Sequence, residues 1–298
     1  MANLKEMRLR IVSVKSTQQV TRAMKMVSAA KLRKAQDAII QIRPYAGKLH
    51  DILVNLIAQL GSADFENKYA EHKDTKRILI VAITSNRGLC GGFNSNVVKK
   101  VEELLLTNYD SYYKRGSVDI LAIGKKGVDG LKAKNIQVTK TLHKLFEGLE
   151  YRSAEVVAQD LMNAFSDGEY DRIDLVYNQF KNAAVQKLVV EQFLPVEIME
   201  KVMEDSETHH YFSDYILEPN VLEIMKTIIP KSLKIQFFKS ILDSVASEHG
   251  ARMTAMHKAT DNASELIRDL HLQYNKARQS TITGEILEIV SGANALNG

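Results

Sequence analysis

A glycine-rich segment at residues 84–97, TSNRGLCGGFNSNV, has the residue types in this sequence that come closest to phosphate chemistry. It follows a predicted strand and precedes a predicted helix, which is where doubly wound α/β proteins place a phosphate-binding loop. The segment has no Gly-x-Gly-x-x-Gly pattern and no Gly-Lys-Ser/Thr sequence to hold a β-phosphate and magnesium. Gly88, Gly91 and Gly92 are therefore predicted to permit a tight turn with positive φ.

Cys90 in this segment is the only cysteine of the chain and a nucleophile in principle. No histidine lies near it in sequence, so a small buried thiol is the simpler interpretation. A single cysteine also excludes an internal disulfide and fits a reducing compartment. The adjacent His209 and His210, and the pair His249 and His257, lack a third ligand, so no metal site is predicted.

Short apolar runs alternate with helical patterns through the middle of the chain, and these elements must position the glycine-rich segment. We predict strands at 76–84, 118–123, 136–141, 172–178 and 187–194. We predict helices near 94–109, 125–134 and 152–166. This alternation is typical of an α/β sheet domain of about 150 residues, with some strands antiparallel. The segment 211–220 is predicted as a further edge strand ended by Pro219, and Pro230 is predicted to mark the start of the last helix.

Both ends of the chain have the spacing of long helices. Apolar residues near the start step by three or four, as one face of a helix does: Leu4, Met7, Ile11 and Val14. A helix over residues 3–60 would be roughly 80 Å long, and one over the proline-free residues 231–298 would approach about 100 Å. We predict that they pair as an antiparallel coiled coil, closely but modestly packed because the seam is rich in Ala, Ser and Met.

The first helix is strongly basic. Residues 1–36 hold the single acid Glu6 against nine basic residues: Lys5, Arg8, Arg10, Lys15, Arg22, Lys25, Lys31, Arg33 and Lys34. This imbalance predicts an acidic partner. Nucleic acid is a weaker match, because interleaved aromatics are missing and the helix carries an apolar stripe that needs a partner helix. A membrane surface is also a weaker match, since the chain has no Trp and the stripe has few bulky residues. An acidic protein surface remains the best counterpart.

Composition limits where the protein works. Apolar runs such as residues 77–85 are too short to span a bilayer, and the start of the chain reads as neither a secretory signal nor a transit peptide, so a cytoplasmic origin is expected. The last ten residues, 289–298, carry no charge. An exposed tail is usually polar and frayed, so this one is predicted to be surrounded by a partner.

Three segments resemble the signature regions of one family, and the resemblance covers the full chain. They are TQQVTRAMKMVSAAKLRKAQ at 17–36, SNRGLCGGFNSN at 85–96, and the long stretch from SEHGARMTAMHKATDN to SGANAL at 247–296. Together they resemble the γ subunit of F-type ATP synthase, the central rotor stalk. The resemblance implies a coiled coil of the terminal helices, penetrating a ring of three α and three β subunits, with a central Rossmann-like α/β domain at its foot.

The resemblance also implies partners and function. The foot would lie beside the ε subunit and the ring of membrane c subunits, and the uncharged tail would sit in an apolar sleeve, where a charge would be costly. The chain itself would hold no catalytic, cofactor-binding or metal-binding residue and would bind no nucleic acid. It would couple proton-driven rotation of the c ring to ATP synthesis or hydrolysis in the β subunits, by meeting each β subunit with a different face.

Partner-binding residues follow by motif match with the family. Met24 and Lys25 are expected near an acidic lever loop of β, although many members have an acid or another polar residue where Lys25 stands. Arg87 would offer a cation to the same acidic region. In the last helix, the resemblance assigns contacts with β loops to Arg252, Arg278, Gln279, Thr283 and Glu285. Gly284 departs from the more helix-favouring residue expected there.

The expected domains are a coiled-coil helix at 1–60, a Rossmann-like domain at 75–220 and a C-terminal helical region at 221–298. The expected location is the cytoplasmic face of a bacterial plasma membrane, peripherally and through the complex. Two other classes stay open from the residues alone. One is a nucleotide-binding Rossmann-like enzyme, and the other is a nucleic-acid-binding coiled-coil protein.

Overall fold

The computed structural model of the protein describes residues 4–60, 68–69, 75–143, 145, 150–196, 218 and 220–296. Its helices are α1 (Leu4–Leu60), α2 (Phe93–Leu106), α3 (Asp110–Lys114), α4 (Lys125–Lys132), α5 (Tyr151–Ser166) and α6 (Val221–Leu296). Its strands are β1 (Ile78–Ile83), β2 (Val118–Ile123), β3 (Lys140–Leu142), β4 (Arg172–Phe180) and β5 (Gln186–Leu194). The long terminal helices and the alternating central elements are both as predicted.

The five strands form one mixed sheet in the order β3-β2-β1-β4-β5. β1 pairs in parallel with β2 and β4, β2 pairs in parallel with β3, and β4 pairs antiparallel with β5. All six residues of β1, ILIVAI, are buried, which suits a central parallel strand covered on both faces. The predicted α/β class, with a Rossmann-like sheet that is partly antiparallel, is therefore confirmed.

Helix α4 approaches the end of β1 closely because Gly124, which precedes the helix, and Gly127 within it lack a side chain. A Cβ on Gly124 would lie 2.4 Å from the Thr84 carbonyl oxygen, and one on Gly127 would lie 2.5 Å from the Thr84 hydroxyl. Thr84 uses that hydroxyl twice, donating to the Ile123 carbonyl at 2.9 Å and accepting from the Gly127 amide at 2.9 Å. These contacts fix the start of the glycine-rich segment against the sheet.

Two boundaries differ from the prediction for local reasons. Helix α6 begins at Val221 and has Pro230 inside it, so Pro230 does not mark its start. The start is capped by Asn220, whose side-chain oxygen accepts a 2.8 Å hydrogen bond from the Glu223 amide. The third strand covers only Lys140–Leu142, because the Ile136 amide is bonded to the Leu131 carbonyl in the turn that ends α4.

Short helix α3 was not predicted, and its Lys114 pairs with Asp110 one turn away. The predicted strand at 211–220 falls outside the described residues, apart from 218 and 220. Among the helices that the structure describes, none combines the length and apolar character needed to cross a bilayer.

The chain divides into two compact units. The first unit consists of Met1–Ala29 and Arg252–Gly298, and the second is Ala30–Ala251. The first therefore joins the two ends of the sequence, as an antiparallel helical pair requires.

Candidate functional site

The glycine-rich turn between β1 and α2 is held by its own polar groups. The Ser85 amide donates to the Asn94 side-chain oxygen at 2.9 Å, and the Ser85 hydroxyl donates to the Arg87 carbonyl at 2.7 Å. Gly91 has a φ of 58° and Leu89 a φ of 62°. The expectation of positive φ is thus correct for Gly91 but wrong for Gly88 and Gly92, since a leucine takes the second left-handed position.

Cys90 is buried beneath this turn, with 2% of its surface exposed. The Asn94 side-chain amide donates to its sulfur at 3.2 Å, and the Ser85 hydroxyl lies 3.9 Å from it. The predicted buried thiol is confirmed. In the described ranges, no three His, Cys, Asp or Glu side chains are grouped so that they could hold a metal ion.

The two chain ends pair as antiparallel helices within the first unit. Arg8 of α1 donates to the Tyr274 hydroxyl of α6 at 2.9 Å, and Gln18 donates to the Ser264 hydroxyl at 2.7 Å. Ten residues forward along α1 therefore correspond to ten residues back along α6. Thr260, four residues further back, donates to the Thr21 hydroxyl at 2.9 Å. These three bonds define the register of the predicted coiled coil.

The seam between these helices combines small, polar and apolar side chains. Its buried residues in the first unit include Thr21, Ser28, Met256, Ala263 and Leu270. Small side chains let two helix backbones approach closely, and hydroxyl pairs bond across the seam in place of apolar knobs. The packing matches the expected close but modest contact. The Arg8 guanidinium also lies 5.9 Å from the centre of the Tyr274 ring, and its hydrogen bond to Tyr274 raises the pKa of Arg8.

The register separates six of the sequence-predicted contact residues into two groups. Met24 and Lys25, both partly exposed on α1, lie at the level of residues 256–258 of α6. Arg278, Gln279, Thr283 and Glu285 are all exposed on α6. At 1.5 Å per residue, the two groups lie about 30 Å apart along the pair.

The last part of α6 extends past the start of its partner helix. By the same register, Leu4 stands level with residue 278, so the described residues from 279 to 296 face no described residue of α1. Apolar side chains in this stretch are 46% to 71% exposed: Ile282, Ile286, Leu287, Ile289 and Val290. Thr283 turns its hydroxyl inward to the Gln279 carbonyl at 2.9 Å. This end of α6 therefore presents a largely apolar surface, interrupted by the exposed acids Glu285 and Glu288.

Two other predicted contact residues have different surroundings. Arg87 is exposed on the glycine-rich turn, beside Leu89, which is 64% exposed. Arg252 is only 6% exposed, so its guanidinium offers a partner little surface. The partner contacts of these residues, like those of the other six, stay predictions.

The basic side chains of the first helix face solvent. Arg10, Lys15 and Arg22 are exposed on α1. Of the acidic side chains in the described ranges, none forms an ion pair with any of these three. Their charge is therefore available to an acidic partner surface.

Sequence reasoning missed a second apolar stripe on α1, here named the outer stripe and consisting of Leu9, Val20 and Val27. These side chains are 55% to 62% exposed. Because they are eleven and seven residues apart, these three side chains lie within about 20° of one line along the helix. Seam residue Ile11 stands about 200° around from Leu9, on the opposite face. The spacing of these three residues alone would have predicted this stripe.

Comparison with known proteins identifies the family. A family model described as ATP synthase matches residues 3–296. The ATP synthase gamma chains of Christiangramia forsetii and Flavobacterium johnsoniae are each 55% identical to this chain over 298 residues, which is 100% of both chains compared. The gamma chain of Geotalea daltonii is 43% identical over 298 residues, with the same full coverage.

Solved structures agree on the fold. A chain in the rotor of Euglena gracilis mitochondrial ATP synthase has a TM-score of 0.64 at 22% identity, covering 94% of this chain and 98% of that one. A chain in the OSCP/F1/c-ring structure from the same organism has a TM-score of 0.67 at 22% identity, covering 98% and 94%. Three quoted motifs, a full-length family match and a shared fold thus agree, and the chain belongs to the family of ATP synthase gamma chains.

Proposed function

We propose that this chain is the rotor subunit of an F-type ATP synthase and couples proton-driven rotation of a c ring to ATP synthesis or hydrolysis. The chain holds no catalytic site, and nucleotide chemistry belongs to the β subunits. The family match supports this role most directly. The structural observation that carries it is the end of α6, which continues beyond its partner helix with exposed apolar side chains.

The helical pair explains how such a subunit could act. Its faces differ: α1 presents basic residues and the outer stripe, whereas the end of α6 presents exposed apolar residues and the acids Glu285 and Glu288. In a ring of three α and three β subunits, each β subunit therefore meets a different surface. A contact shifts a conformational equilibrium only by its difference in free energy between the two states. Rotation would pass that difference from one β subunit to the next.

The proposal includes partners and a location. The partners are the α and β subunits, the ε subunit and the c ring, with the membrane reached only through the complex. The location is the cytoplasmic face of a bacterial plasma membrane. The eight contact residues from the sequence analysis, and the division into domains at 1–60, 75–220 and 221–298, belong to the proposal as well.

The test uses a cysteine at position 279 in the assembled complex. Gln279→Cys in a Cys90→Ser background gives a single exposed thiol for a thiol-linked photo-cross-linker. We expect a covalent product with β and loss of ATP hydrolysis on illumination. Lys132→Cys, exposed on α4 in the second unit, is the matched control and should leave hydrolysis intact. An intact complex that gives no product with α or β from position 279 would reject the proposal.

A further inference from the structure

Residues 233–250 of α6, here named the hub segment, are enclosed within the second unit. Most of its side chains are buried, and Lys239 is exposed; the buried ones include Leu233, Ile235, Phe237, Phe238, Ser240, Ile241, Leu242, Asp243, Ser244, Val245, Ala246 and Ser247. A helix that is buried all round has packing partners on every face. The α/β sheet and its helices therefore hold this part of α6 on more than one side.

One face of the hub segment is bonded to the sheet. The Gln236 side-chain amide donates to the Glu191 carboxylate of β5 at 2.8 Å, and the Ser247 hydroxyl donates to the Asn178 carbonyl of β4 at 2.9 Å. Ser247 lies eleven residues after Gln236, so the two side chains point within about 20° of the same direction and lie about 16 Å apart along the helix axis. The Tyr177 hydroxyl donates to the other Glu191 oxygen at 2.7 Å and so fixes that carboxylate.

The opposite face is bonded to helix α5. The Lys234 ammonium lies 3.0 Å from the Glu155 carboxylate, with side-chain exposures of 17% and 37%. Phe238 meets Tyr151 edge to face, with ring centres 5.5 Å apart. Lys234 precedes Gln236 by two residues, or about 200° around the helix. The hub segment is thus gripped by polar contacts on two opposite faces.

Directional contacts matter for a helix that must turn with its surroundings. Apolar packing is non-directional, so it resists the rolling of a helix only through the interlocking of side-chain shapes. A hydrogen bond weakens steeply as its angle departs from linear. Bonds on two opposite faces therefore oppose rolling in either sense.

We propose that Glu155 and Glu191 are positioning residues that make the α/β sheet and α6 turn as one body when torque passes between them. This inference rests on the proposed rotor function. It identifies the Lys234–Glu155 and Gln236–Glu191 contacts as the grip that prevents slip under load. The grip is neither a catalytic site nor a contact with another subunit.

The first experiment reverses and then restores one contact in the whole complex. Lys234→Glu and Glu155→Lys each place like charges together, while the double variant restores an ion pair of opposite orientation. ATP hydrolysis and ATP-driven proton pumping are measured as the opposing proton gradient rises. We expect each single variant to hydrolyse ATP at the normal rate but to pump fewer protons per ATP at high gradient. The double variant should recover the wild-type ratio.

A second variant tests the proposal independently, in case the charge-reversal variants fail to fold. Gln236→Met keeps the volume and the Glu191–Tyr177 bond but removes the bond to α6. Loss of one hydrogen bond changes an equilibrium about fivefold, so slips per ATP at high gradient should rise about fivefold. The matched control is Glu102→Gln, which breaks the ion pair between Lys134, in the turn after α4, and Glu102 of α2 at similar exposure without touching α6. It should pump as the wild type does.

The outcomes separate the grip from the rotor function itself. If the wild-type chain supports pumping and the Lys234, Glu155 and Gln236 variants assemble and pump equally well at every gradient, the grip is rejected while the rotor function stands. If the wild-type chain neither assembles with nor couples α, β and c subunits, the rotor function fails. Equal losses in Glu102→Gln and Gln236→Met would also reject the grip, because general loosening of the domain would then explain both.

Discussion

The guanidinium of Arg8 donates a 2.9 Å hydrogen bond to the hydroxyl of Tyr274, which lies 266 residues later in the chain. Through this bond, and those of Gln18 and Thr21 with Ser264 and Thr260, the two ends of the sequence become one structural unit. The register that they define also leaves the last part of α6 without a described partner helix, and the proposed function depends on that surface.

The Arg8–Tyr274 contact should stabilise the end of the helical pair slightly, because both groups are in solvent-rich surroundings. Tyr274→Phe removes the hydroxyl and keeps the ring, so we expect a small fall in the thermal midpoint. In an Arg8→Ala background, Tyr274→Phe should not lower the midpoint further, because the hydrogen bond is already absent; a double-mutant cycle measures this difference. Gln273→Leu, one position away and exposed, is the control and should leave the midpoint in place. Strict additivity of the two changes would show that the bond contributes nothing.

Gly124→Ala should destabilise the second unit by about 2 kcal/mol or more. Gly124 has a φ of 99°, and its added Cβ would meet the Thr84 carbonyl oxygen at 2.4 Å. Urea unfolding of the purified chain gives the free energy of unfolding. Gly47→Ala is the contrasting control, since Gly47 is helical with nothing within 4 Å of an added Cβ, and should stabilise by about 0.5–1 kcal/mol. Equal effects of the two changes would contradict the close approach of α4 to β1.

Asp243 should make the protein less stable as pH rises from about 4 to about 7. It is 5% exposed, and its burial raises its pKa to about 6 from the ordinary 3.8. The positive charges of Lys239 and Arg43 lower this pKa, and the negative charge of Glu191 raises it, by smaller amounts than burial does. The folded state therefore binds a proton more tightly than the unfolded state. Stability due to Asp243 is complete below the unfolded pKa and is lost as pH passes the folded one, by about 3 kcal/mol in all.

Asp243→Asn should remove this pH dependence. The difference in unfolding free energy between wild type and variant, measured from pH 4.5 to 8, should change in favour of the variant as pH increases. The contributions of all other titrating groups are the same in both proteins and cancel in this difference of unfolding free energies. Parallel curves for the two proteins would show that folding does not raise the pKa of Asp243.

Charge reversal on α1 should weaken assembly or coupling. Arg10→Glu and Lys15→Glu replace exposed cations that have no described acidic partner, and each should cost about 1 kcal/mol of binding to an acidic surface. The effect should shrink as salt rises, because exposed charges are screened. Lys99→Glu on α2 is the control and should have little effect. Unchanged ATP-driven proton pumping in both α1 variants would reject an acidic partner at these positions.

Sequence reasoning succeeded where a periodic pattern was long or an apolar run was bounded by turn residues. The seam residues Met7 and Ile11 predicted the helical pair, and ILIVAI predicted the central strand. It failed where a local hydrogen bond decided the boundary. Asn220 caps α6 ahead of Pro230, and the turn at Ile136 shortens β3. The choice among nearby capping groups depends on three-dimensional contacts that periodicity does not contain.

The candidate site was likewise predicted from the sequence only in part. Motif similarity identified the positions along α1 and α6, and the structure adds their register and exposure. Arg252 shows the limit of this approach, because its burial is set by packing and not by its place in a motif. The grip on the hub segment was not foreseen either, since Glu191 and Gln236 lie 45 residues apart in sequence and meet only in the fold.

In the proposed function, the two chain ends form one shaft that turns as a unit. Cysteines at Thr21 and Thr260, whose hydroxyl oxygens lie 2.9 Å apart, test it most directly in the assembled complex with Cys90→Ser. The measurement is ATP-driven proton pumping before and after oxidation. We expect that a disulfide forms and that pumping stays at its reduced-state level. Failure of the disulfide to form, or loss of pumping when it forms, would show that the two helices do not turn together as a pair.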